Sequence, residues 1–223
     1  QWIGGRYSIW SAIGLPIAIC FGMERFKSLL QGAYEMDQHF QTAPFEKNMP
    51  VILALLSVWQ INFFGTKTHA ILPYCEKLKY LPAYLQQAEM ESNGKSVNHK
   101  GKPVNYATAS VIWGEVGTNG QHAFHQLLHQ GTQIIPVDFI LSLNQKNHTE
   151  HQNLLVSSCF SQSQALMHGK TEEEAYNALI TEGFSIKRAK QLAPHKALKG
   201  NRPSNTILFS ELTPYSLGAL IAL

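Results

Sequence analysis

Hydrophobic and polar positions alternate along this chain in the order that is typical of an α/β protein. Short apolar runs at Thr68–Tyr74 and Ser110–Trp113 predict buried strands, and further strands are predicted at 133–141 and 206–209. Segments with helical spacing lie between them, as at Glu150–His168. Strands that alternate with helices imply right-handed crossovers and parallel pairing. We therefore predict an α/β fold whose mostly parallel sheet is covered by helices on both faces.

Two helices are predicted to be buried because they are apolar almost throughout. Ile9–Phe21 contains Gly14 and Pro16 and is too short and too interrupted to span a bilayer, so we interpret it as a buried, kinked helix. Val51–Phe64 is the second apolar helix. The loop at 42–50 between these regions is the predicted domain boundary.

The composition is that of an ordinary folded protein and argues against nucleic-acid-binding and membrane proteins. The chain has 223 residues, of which 44% are hydrophobic and 15% are charged, and its formal net charge is +3. No run of Lys and Arg is interleaved with aromatic residues, so nucleic acid is not an expected partner, and no membrane association is expected either. The cysteines are widely spaced and outside any C-x-x-C motif, which predicts reduced thiols in a cytoplasmic protein.

Both ends of the chain lead us to expect a longer polypeptide. The sequence opens at Gln1 without a methionine or a targeting segment. Its last stretch, PYSLGALIAL, begins an apolar helix that has no polar last turn, glycine cap or cationic residue. We therefore expect this chain to be an internal piece of a larger protein.

An acidic residue is predicted to lie at the end of a helix. Leu81–Met90 suits a helix, and the residues at 92–94, Ser-Asn-Gly, are a stop signal. Glu91 is then in or just after the last turn, where the partial negative charge of unpaired carbonyl groups disfavours the ionised carboxylate and improves a general base. Gln87 lies one turn earlier on the same face, where its amide can bind a substrate oxygen. The alternative is a surface ion pair between Glu91 and Lys95.

A histidine is predicted near the start of the next helix. Gln121–Gln130 suits a helix that Thr118 or Asn119 can cap, which places His122 in the first turn. A helix N-terminus favours a neutral imidazole, which can exchange a proton near pH 7. The alternative is a capped structural histidine. The glycine-rich loop at 114–120 could hold a phosphate through backbone N–H groups, although its spacing differs from the G-x-G-x-x-G fingerprint.

The spacing of residues does not support a metal site or a serine hydrolase. His122, His125 and His129 follow one another at i, i+3 and i+7, but three imidazoles on one helix span too far for one tetrahedral ion. No metal site is predicted. Serine and histidine pairs can be found, but the G-x-S-x-G turn of a hydrolase is absent from the sequence.

An arginine near the start of the chain is a further candidate. Arg6 follows two glycines, so the backbone can approach a ligand closely while the guanidinium reaches over it. The alternative is a structural cation–π contact with Trp2 or Trp10.

Several segments taken together resemble the glucose-6-phosphate isomerase (phosphoglucose isomerase) family. The resemblance covers essentially the whole chain, and its longest block is highly specific. The segments are WIGGRYSIWSAIG at 2–14, MDQHF at 36–40, EKN at 46–48, QQAEMESNGK at 86–95, WGEVGTNGQHAFHQLLHQGT at 113–132 and GNRPSN at 200–205.

The resemblance implies an aldose–ketose isomerase that interconverts glucose 6-phosphate and fructose 6-phosphate through a cis-enediol(ate), with no metal or redox cofactor. Glu91 matches the family's base, which moves a proton between C1 and C2. Arg6 matches the arginine that stabilises negative charge on the intermediate. His122 matches the histidine associated with opening the pyranose ring, which is contributed across a homodimer interface, and Gln87 matches a glutamine that contacts the substrate.

The resemblance also implies a domain organisation. Residues 1–47 match the tail of a first sugar-isomerase (SIS) domain with its linker helices, and residues 48–223 match most of a second, three-layer α/β/α SIS domain. The family's catalytic lysine lies in a G-V-E-x-x-K type motif downstream of the last helix, and its phosphate-binding loop lies upstream of Gln1. The chain by itself is therefore expected to be inactive or nearly so.

Two rival functions stay open at this point. The first is a non-catalytic module that uses the same fold to bind a sugar phosphate and regulate a partner, although a base such as Glu91 is not needed for binding alone. The second is a mannose or bifunctional sugar-phosphate isomerase, because the residues that set the preference at C2 cannot be ranked from one sequence.

Overall fold

A parallel sheet forms the centre of the structure. The computed structural model describes residues 3–144 and 149–223. Within these residues a four-stranded sheet has the order β2-β1-β3-β4, and each pairing is parallel. The strands are β1 (Thr68–Tyr74), β2 (Val111–Trp113), β3 (Val137–Ser142) and β4 (Ser204–Phe209). The predicted parallel α/β sheet is confirmed, although β3 begins at Val137 rather than at residue 133.

None of the helices within 3–144 and 149–223 is long and apolar enough to cross a membrane.

Helices connect the strands and cover both faces of the sheet. The α-helices are α1 (Leu15–Phe21), α2 (Met23–Thr42), α3 (Met49–Asn62), α4 (Leu81–Leu85), α5 (Gly117–Ala123), α6 (His125–Gln130), α7 (Thr149–His168), α8 (Glu172–Thr181), α9 (Ile186–Lys196) and α10 (Pro214–Ala222). Short 3-10 helices include Gly5–Trp10, and Gln86–Glu91 is a π-helix.

The two faces of the sheet bury separate cores, because successive side chains of a strand point to opposite faces. One face packs against α5, α6 and α7 and buries Ala70, Leu72, Tyr74, Val137, Phe139 and Leu141. The other packs against α4, the π-helix and α10 through Ile71, Ile112, Ile140, Leu81, Leu217 and Leu220. The three-layer α/β/α arrangement is therefore confirmed.

Helix α2 contacts α10 directly through its backbone. A Cβ atom on Gly32 would lie 1.8 Å from the carbonyl oxygen of Tyr215, and one on Gly218 would lie 1.9 Å from that of Leu29. The Tyr215 hydroxyl also donates a hydrogen bond to the carboxylate of Glu35. Only glycine allows such close approach, so both positions are restricted to it.

The prediction that the two apolar helices are buried was wrong. Helix α1 buries no residue, and Ile19 is 73% exposed. Helix α3 buries only Gln60 and Ile61, while Phe63, just after it, is 76% exposed. An apolar helix is buried only where another element covers it, and within the described residues nothing covers the outer faces of α1 and α3.

Candidate active site

The predicted acidic helix end is built from a π-helix. Helix α4 ends at Leu85, and the chain continues as the π-helix Gln86–Glu91. The π-helix is attached to β2, because Gln86 Nε2 donates to the carbonyl oxygen of Ile112 at 3.1 Å and Met90 Sδ accepts from the Ile112 N–H at 3.4 Å. π-Helical turns are rare and are often found at functional sites. Glu91 is the last residue of this element, as predicted.

Arg6 and Glu91 form an ion pair between two distant parts of the chain. Arg6 Nη1 lies 2.9 Å from Glu91 Oε1, and the two residues are 85 positions apart in the sequence. The Glu91 side chain is 54% exposed and that of Arg6 is 23% exposed. A carboxylate that can accept a proton is therefore held beside a fixed positive charge at an accessible surface.

Ser92 fixes the other edge of the guanidinium. Arg6 Nε donates to Ser92 Oγ at 2.7 Å, while Ser92 Oγ donates to the carbonyl oxygen of Ala88. Tyr7 OH lies 2.6 Å from the same Oγ. Because a serine hydroxyl has one hydrogen and two lone pairs, Tyr7 is the donor in this contact, and the hydrogen-bonding capacity of Ser92 is filled. Neither Ser92 nor Tyr7 was predicted as a site residue from the sequence, because their contacts with Arg6 join distant parts of the chain.

The backbone and side chain of Arg6 are further restrained by aromatic residues. The Tyr84 hydroxyl donates to the carbonyl oxygen of Arg6 at 3.1 Å, and burial raises the pKa of Tyr84, which keeps this donor protonated. The Arg6 guanidinium lies 5.3 Å from the centre of the Tyr7 ring. The cation–π contact expected as the alternative for Arg6 thus involves Tyr7 and not Trp10, and Trp2 lies outside the described residues.

The alternative pairing of Glu91 with Lys95 is not formed through the carboxylate. Lys95 Nζ donates to the backbone carbonyl oxygen of Glu91, while the carboxylate pairs with Arg6. Gln87 is exposed on the same π-helix and has no hydrogen-bond partner within 3–144 and 149–223. Its amide is therefore available to a ligand beside Glu91.

His122 lies at the end of a helix and not at its start, so that prediction was wrong. Helix α5 already begins at Gly117, and the proposed caps Thr118 and Asn119 lie inside it. The helix ends at Ala123 because Phe124 has a non-helical backbone with φ −141° and ψ −2°. His122 is in the last turn, so the N-terminal end of the helix dipole does not act on it.

His122 is exposed and separate from the Arg6–Glu91 pair. It makes no hydrogen bond or ion pair with Arg6, Gln87 or Glu91 in the described ranges. The structure thus brings two of the four predicted site residues into contact, places Gln87 on the same element as one of them, and leaves His122 on a different helix.

The other two histidines of this region are partly or fully buried. His125 Nδ1 and His129 Nε2 lie 3.1 Å and 2.8 Å from the same oxygen, Gln162 Oε1, so each ring donates to one amide. Burial lowers the pKa of His125. No group of three or more His, Cys, Asp or Glu that could hold a metal ion is found in the described part of the chain.

The first glycine of the glycine-rich loop, Gly114, is explained by close packing against β1. A Cβ atom on Gly114 would lie 1.9 Å from the carbonyl oxygen of Ile71 in β1. Glycine is therefore needed where the chain leaves β2 against its neighbouring strand. A phosphate site is not required to explain it.

A cavity of about 460 Å³ lies on the α10 side of the sheet. Its walls are mostly apolar and include His69 and Asp138, whose Nε2 and Oδ2 atoms are 3.1 Å apart. Asn205 Nδ2 donates to the other carboxylate oxygen of Asp138 at 2.7 Å. None of Arg6, Gln87, Glu91 and His122 lines this cavity, although Glu89 and Asn93, on either side of Glu91 in the sequence, do.

Comparison with known proteins gives one consistent family. The family model for phosphoglucose isomerase matches residues 1–223. The glucose-6-phosphate isomerase of Alteromonas mediterranea is 56% identical and that of Pseudomonas fluorescens (strain Pf0-1) is 59% identical, each over 224 aligned residues. The alignments cover 100% of this chain but only 41% and 40% of those relatives, so the chain spans about two fifths of their length.

Solved structures agree with the sequence comparison. A crystal structure of a glucose-6-phosphate isomerase from Chlamydia trachomatis is similar with a TM-score of 0.85 and 38% identity, over 99% of this chain and 40% of that one. A hypothetical protein from Thermus thermophilus is similar with a TM-score of 0.66 and 22% identity, over 98% of this chain and 47% of that one, which supports the fold alone.

Proposed function

This chain belongs to the phosphoglucose isomerase family, and on that premise we propose that the complete protein interconverts glucose 6-phosphate and fructose 6-phosphate. The observation that carries the proposal is the contact of Arg6 Nη1 with Glu91 Oε1 at 2.9 Å. Moving a proton between two carbons needs a base and a group that stabilises the resulting negative charge, and this pair supplies both at an exposed surface.

In the proposed reaction Glu91 takes the proton from C2 of the aldose and returns it to C1 of the cis-enediolate, while the hydroxyl proton of O2 is lost and O1 gains one; the reverse reaction runs from C1 to C2. Arg6 stabilises the enediolate because its guanidinium is held on two edges, by Glu91 and by Ser92, and does not need to reorganise as charge develops. Gln87, exposed one helical turn before Glu91, binds a hydroxyl oxygen of the substrate. A proton transfer of this kind needs no metal or redox cofactor.

His122 is proposed to open the pyranose ring at the active site of a second subunit. Its exposure and its separation from Arg6 and Glu91 in the described residues are what a residue contributed across a homodimer interface requires. Each complete site would then contain Arg6, Gln87 and Glu91 from one subunit and His122 from its partner.

We further propose the domain organisation that the family implies. Residues 1–47 belong to the end of a first sugar-isomerase domain and its linker helices, and residues 48–223 belong to a second such domain. The phosphate-binding loop and the catalytic lysine lie in flanking sequence, so these 223 residues alone are inactive or nearly so, and the complete protein is a cytoplasmic homodimer.

The test is the isomerisation rate of the polypeptide extended to the full length of its relatives, measured beside its Glu91→Gln variant. The substitution keeps the side-chain shape and removes the base, so we expect kcat to fall about 10²-fold to 10⁴-fold with little change in KM. Glu89→Gln, in the same π-helix, is the matched control and should stay within about 3-fold of the parent, as is usual for residues outside the chemistry.

Each outcome separates the candidate functions. An active parent with an inactive Glu91→Gln variant supports the isomerase and its base. Two inactive proteins that still bind sugar phosphate would point to the regulatory module. Comparison of the parent's rates on glucose 6-phosphate and mannose 6-phosphate distinguishes a mannose or bifunctional isomerase.

A further inference from the structure

The side-chain amide of Gln121 joins three elements of the fold. Gln121 lies in α5 and donates from Nε2 to the Tyr74 hydroxyl at 2.8 Å and to the Ser158 hydroxyl at 2.8 Å. Tyr74 is the fully buried last residue of β1, and Ser158 lies in α7. An amide nitrogen has two hydrogens, so both are used. One side chain therefore attaches α5 to the sheet and to the helix beside it.

Helix α5 needs such attachments because it is too short to be stable without contacts to the rest of the protein. It has seven residues, it receives no side-chain cap from Val116, and it ends at the non-helical residue Phe124. Helices of this length are not stable in isolation. The ring of Tyr74 also packs where Gly117 has no side chain, since a Cβ there would lie 2.0 Å from Tyr74 Cε2. The neighbours of α5 thus fix both its position and its rotation.

Gln121 directly precedes His122. With 3.6 residues per turn, neighbouring side chains of a helix project about 100° apart. Helix α5 can therefore hold Gln121 half-buried against β1 and α7 while His122 is exposed. Fixing Gln121 fixes the backbone that carries the imidazole without any contact to the imidazole itself.

We propose that Gln121 is a positioning residue for His122, acting through its hydrogen bonds to Tyr74 and Ser158. The inference rests on the proposed function, which assigns ring opening to His122. A catalytic group that is misplaced by 1 Å can lose about 10²-fold in rate, so loosening α5 slows ring opening while Glu91 and Arg6 are unaffected. Burial raises the pKa of Tyr74 to about 12, so the network keeps one protonation state at neutral pH.

Two substrates separate ring opening from proton transfer. Glucose 6-phosphate is mainly a closed pyranose, whereas a tetrose 4-phosphate has its O4 esterified and cannot form a ring. Both carry a hydrogen on C2 that Glu91 can remove. Isomerisation of the first needs ring opening, but exchange of the C2 hydrogen of the second with solvent deuterium does not.

The variants are made in the polypeptide extended to the full length of its relatives. Gln121→Met removes both hydrogen bonds at similar volume. Tyr74→Phe removes one and keeps the buried ring, so it disturbs the fold less and serves as the second test. Gln126→Met is the matched control, because this exposed glutamine of α6 bonds only to Gln130 in the described residues.

We expect Gln121→Met to lower kcat on glucose 6-phosphate about 10-fold to 100-fold and Tyr74→Phe about 3-fold to 10-fold, with KM and tetrose exchange within about 2-fold of the parent. Equal losses on both substrates would show a purely structural role for Gln121, and unchanged rates on both would show no role in positioning. A parent protein that acts on neither substrate would refute the proposed function itself, which is a different result from either.

Discussion

The Glu91 end and the His122 end of the candidate site are held by different kinds of contact. Glu91 lies at the end of a π-helix and is held at the surface by its ion pair with Arg6, whose guanidinium also donates to Ser92. His122 is on a short helix that is fixed from its buried side, by the ring of Tyr74 and by the amide of Gln121. One end is held by hydrogen bonds at the surface, and the other by a buried ring together with the part-buried hydrogen bonds of Gln121.

Because the contacts differ, substitutions at the Glu91 end can change the rate with little change in stability, whereas substitutions at the His122 end change both. Exposed ion pairs add only about 0 to 1 kcal/mol to the free energy of unfolding. Inserting even small groups into a packed interior costs about 1 to 3 kcal/mol. Substitutions near Glu91 should therefore change rate more than stability, and substitutions under α5 should change stability directly.

The largest expected effect is on rate at the Glu91 end. In the full-length protein, Arg6→Ala should lower kcat about 10²-fold to 10³-fold, because the proposed enediolate loses a preorganised positive charge, while the free energy of unfolding falls by less than about 1 kcal/mol. Arg25→Ala, at an exposed position of α2, is the control and should leave kcat unchanged. Steady-state kinetics and chemical denaturation measure both quantities. A large loss of stability would contradict the comparison.

The next effect is on stability at the His122 end. Gly117→Ala places a Cβ 2.0 Å from a carbon of the buried Tyr74 ring, so the free energy of unfolding should fall by about 1 to 3 kcal/mol. Gly5→Ala, beside Arg6, meets nothing within 4 Å and should change it by less than about 0.5 kcal/mol. Urea denaturation measures the free energy of unfolding of both variants. Equal values for Gly117→Ala and Gly5→Ala would mean that α5 can shift away from Tyr74 without loss of stability.

A smaller effect is expected at Ser92. Ser92→Ala removes the acceptor for both Arg6 Nε and the Tyr7 hydroxyl. A typical hydrogen bond contributes about 1 kcal/mol, so kcat should fall about 5-fold to 10-fold with little loss of stability. Unchanged kcat would show that Glu91 alone is enough to orient the guanidinium.

The smallest effect is a pH dependence on the α6 side. Burial lowers the pKa of His125 below its ordinary value, so the unfolded chain takes up a proton at a pH where the folded chain does not. The contribution of this residue to stability is complete above about pH 6.5 and falls as the pH drops below that value. Urea denaturation between about pH 5.5 and 7.5 should show a steeper loss for the parent than for His125→Gln. Identical slopes for the two proteins would mean that His125 titrates alike in the folded and unfolded chain.

The strands and most helices could be predicted from the sequence because their periodicity is local. Strand β1 occupies the predicted residues Thr68–Tyr74, and α7 begins one residue before the prediction, at Thr149. The exposure of α1 and α3 could not be predicted. An apolar composition favours burial, but it does not show whether another element packs against the helix.

The candidate site was predicted residue by residue but not as an arrangement. Glu91 was placed correctly at a helix end, whereas the π-helical form, with Gln86 and Met90 in contact with β2, was not predicted because local spacing carries no information on such contacts. Helix α5 begins at Gly117, which packs against the ring of Tyr74, and the two residues predicted to cap the helix lie inside it. The contact between Arg6 and Glu91 spans 85 positions and has no local signal.

The glycine contact between α2 and α10 affects the order in which the chain can fold. Tyr215 and Glu35, which join these helices, are 180 positions apart in the sequence. Contacts between residues so distant in sequence form slowly, because the loop between them must close first. During synthesis α2 leaves the ribosome long before α10, and its Gly32 surface has to wait for that partner. The sheet and its local helices can therefore consolidate first, with the attachment of α2 as a late step.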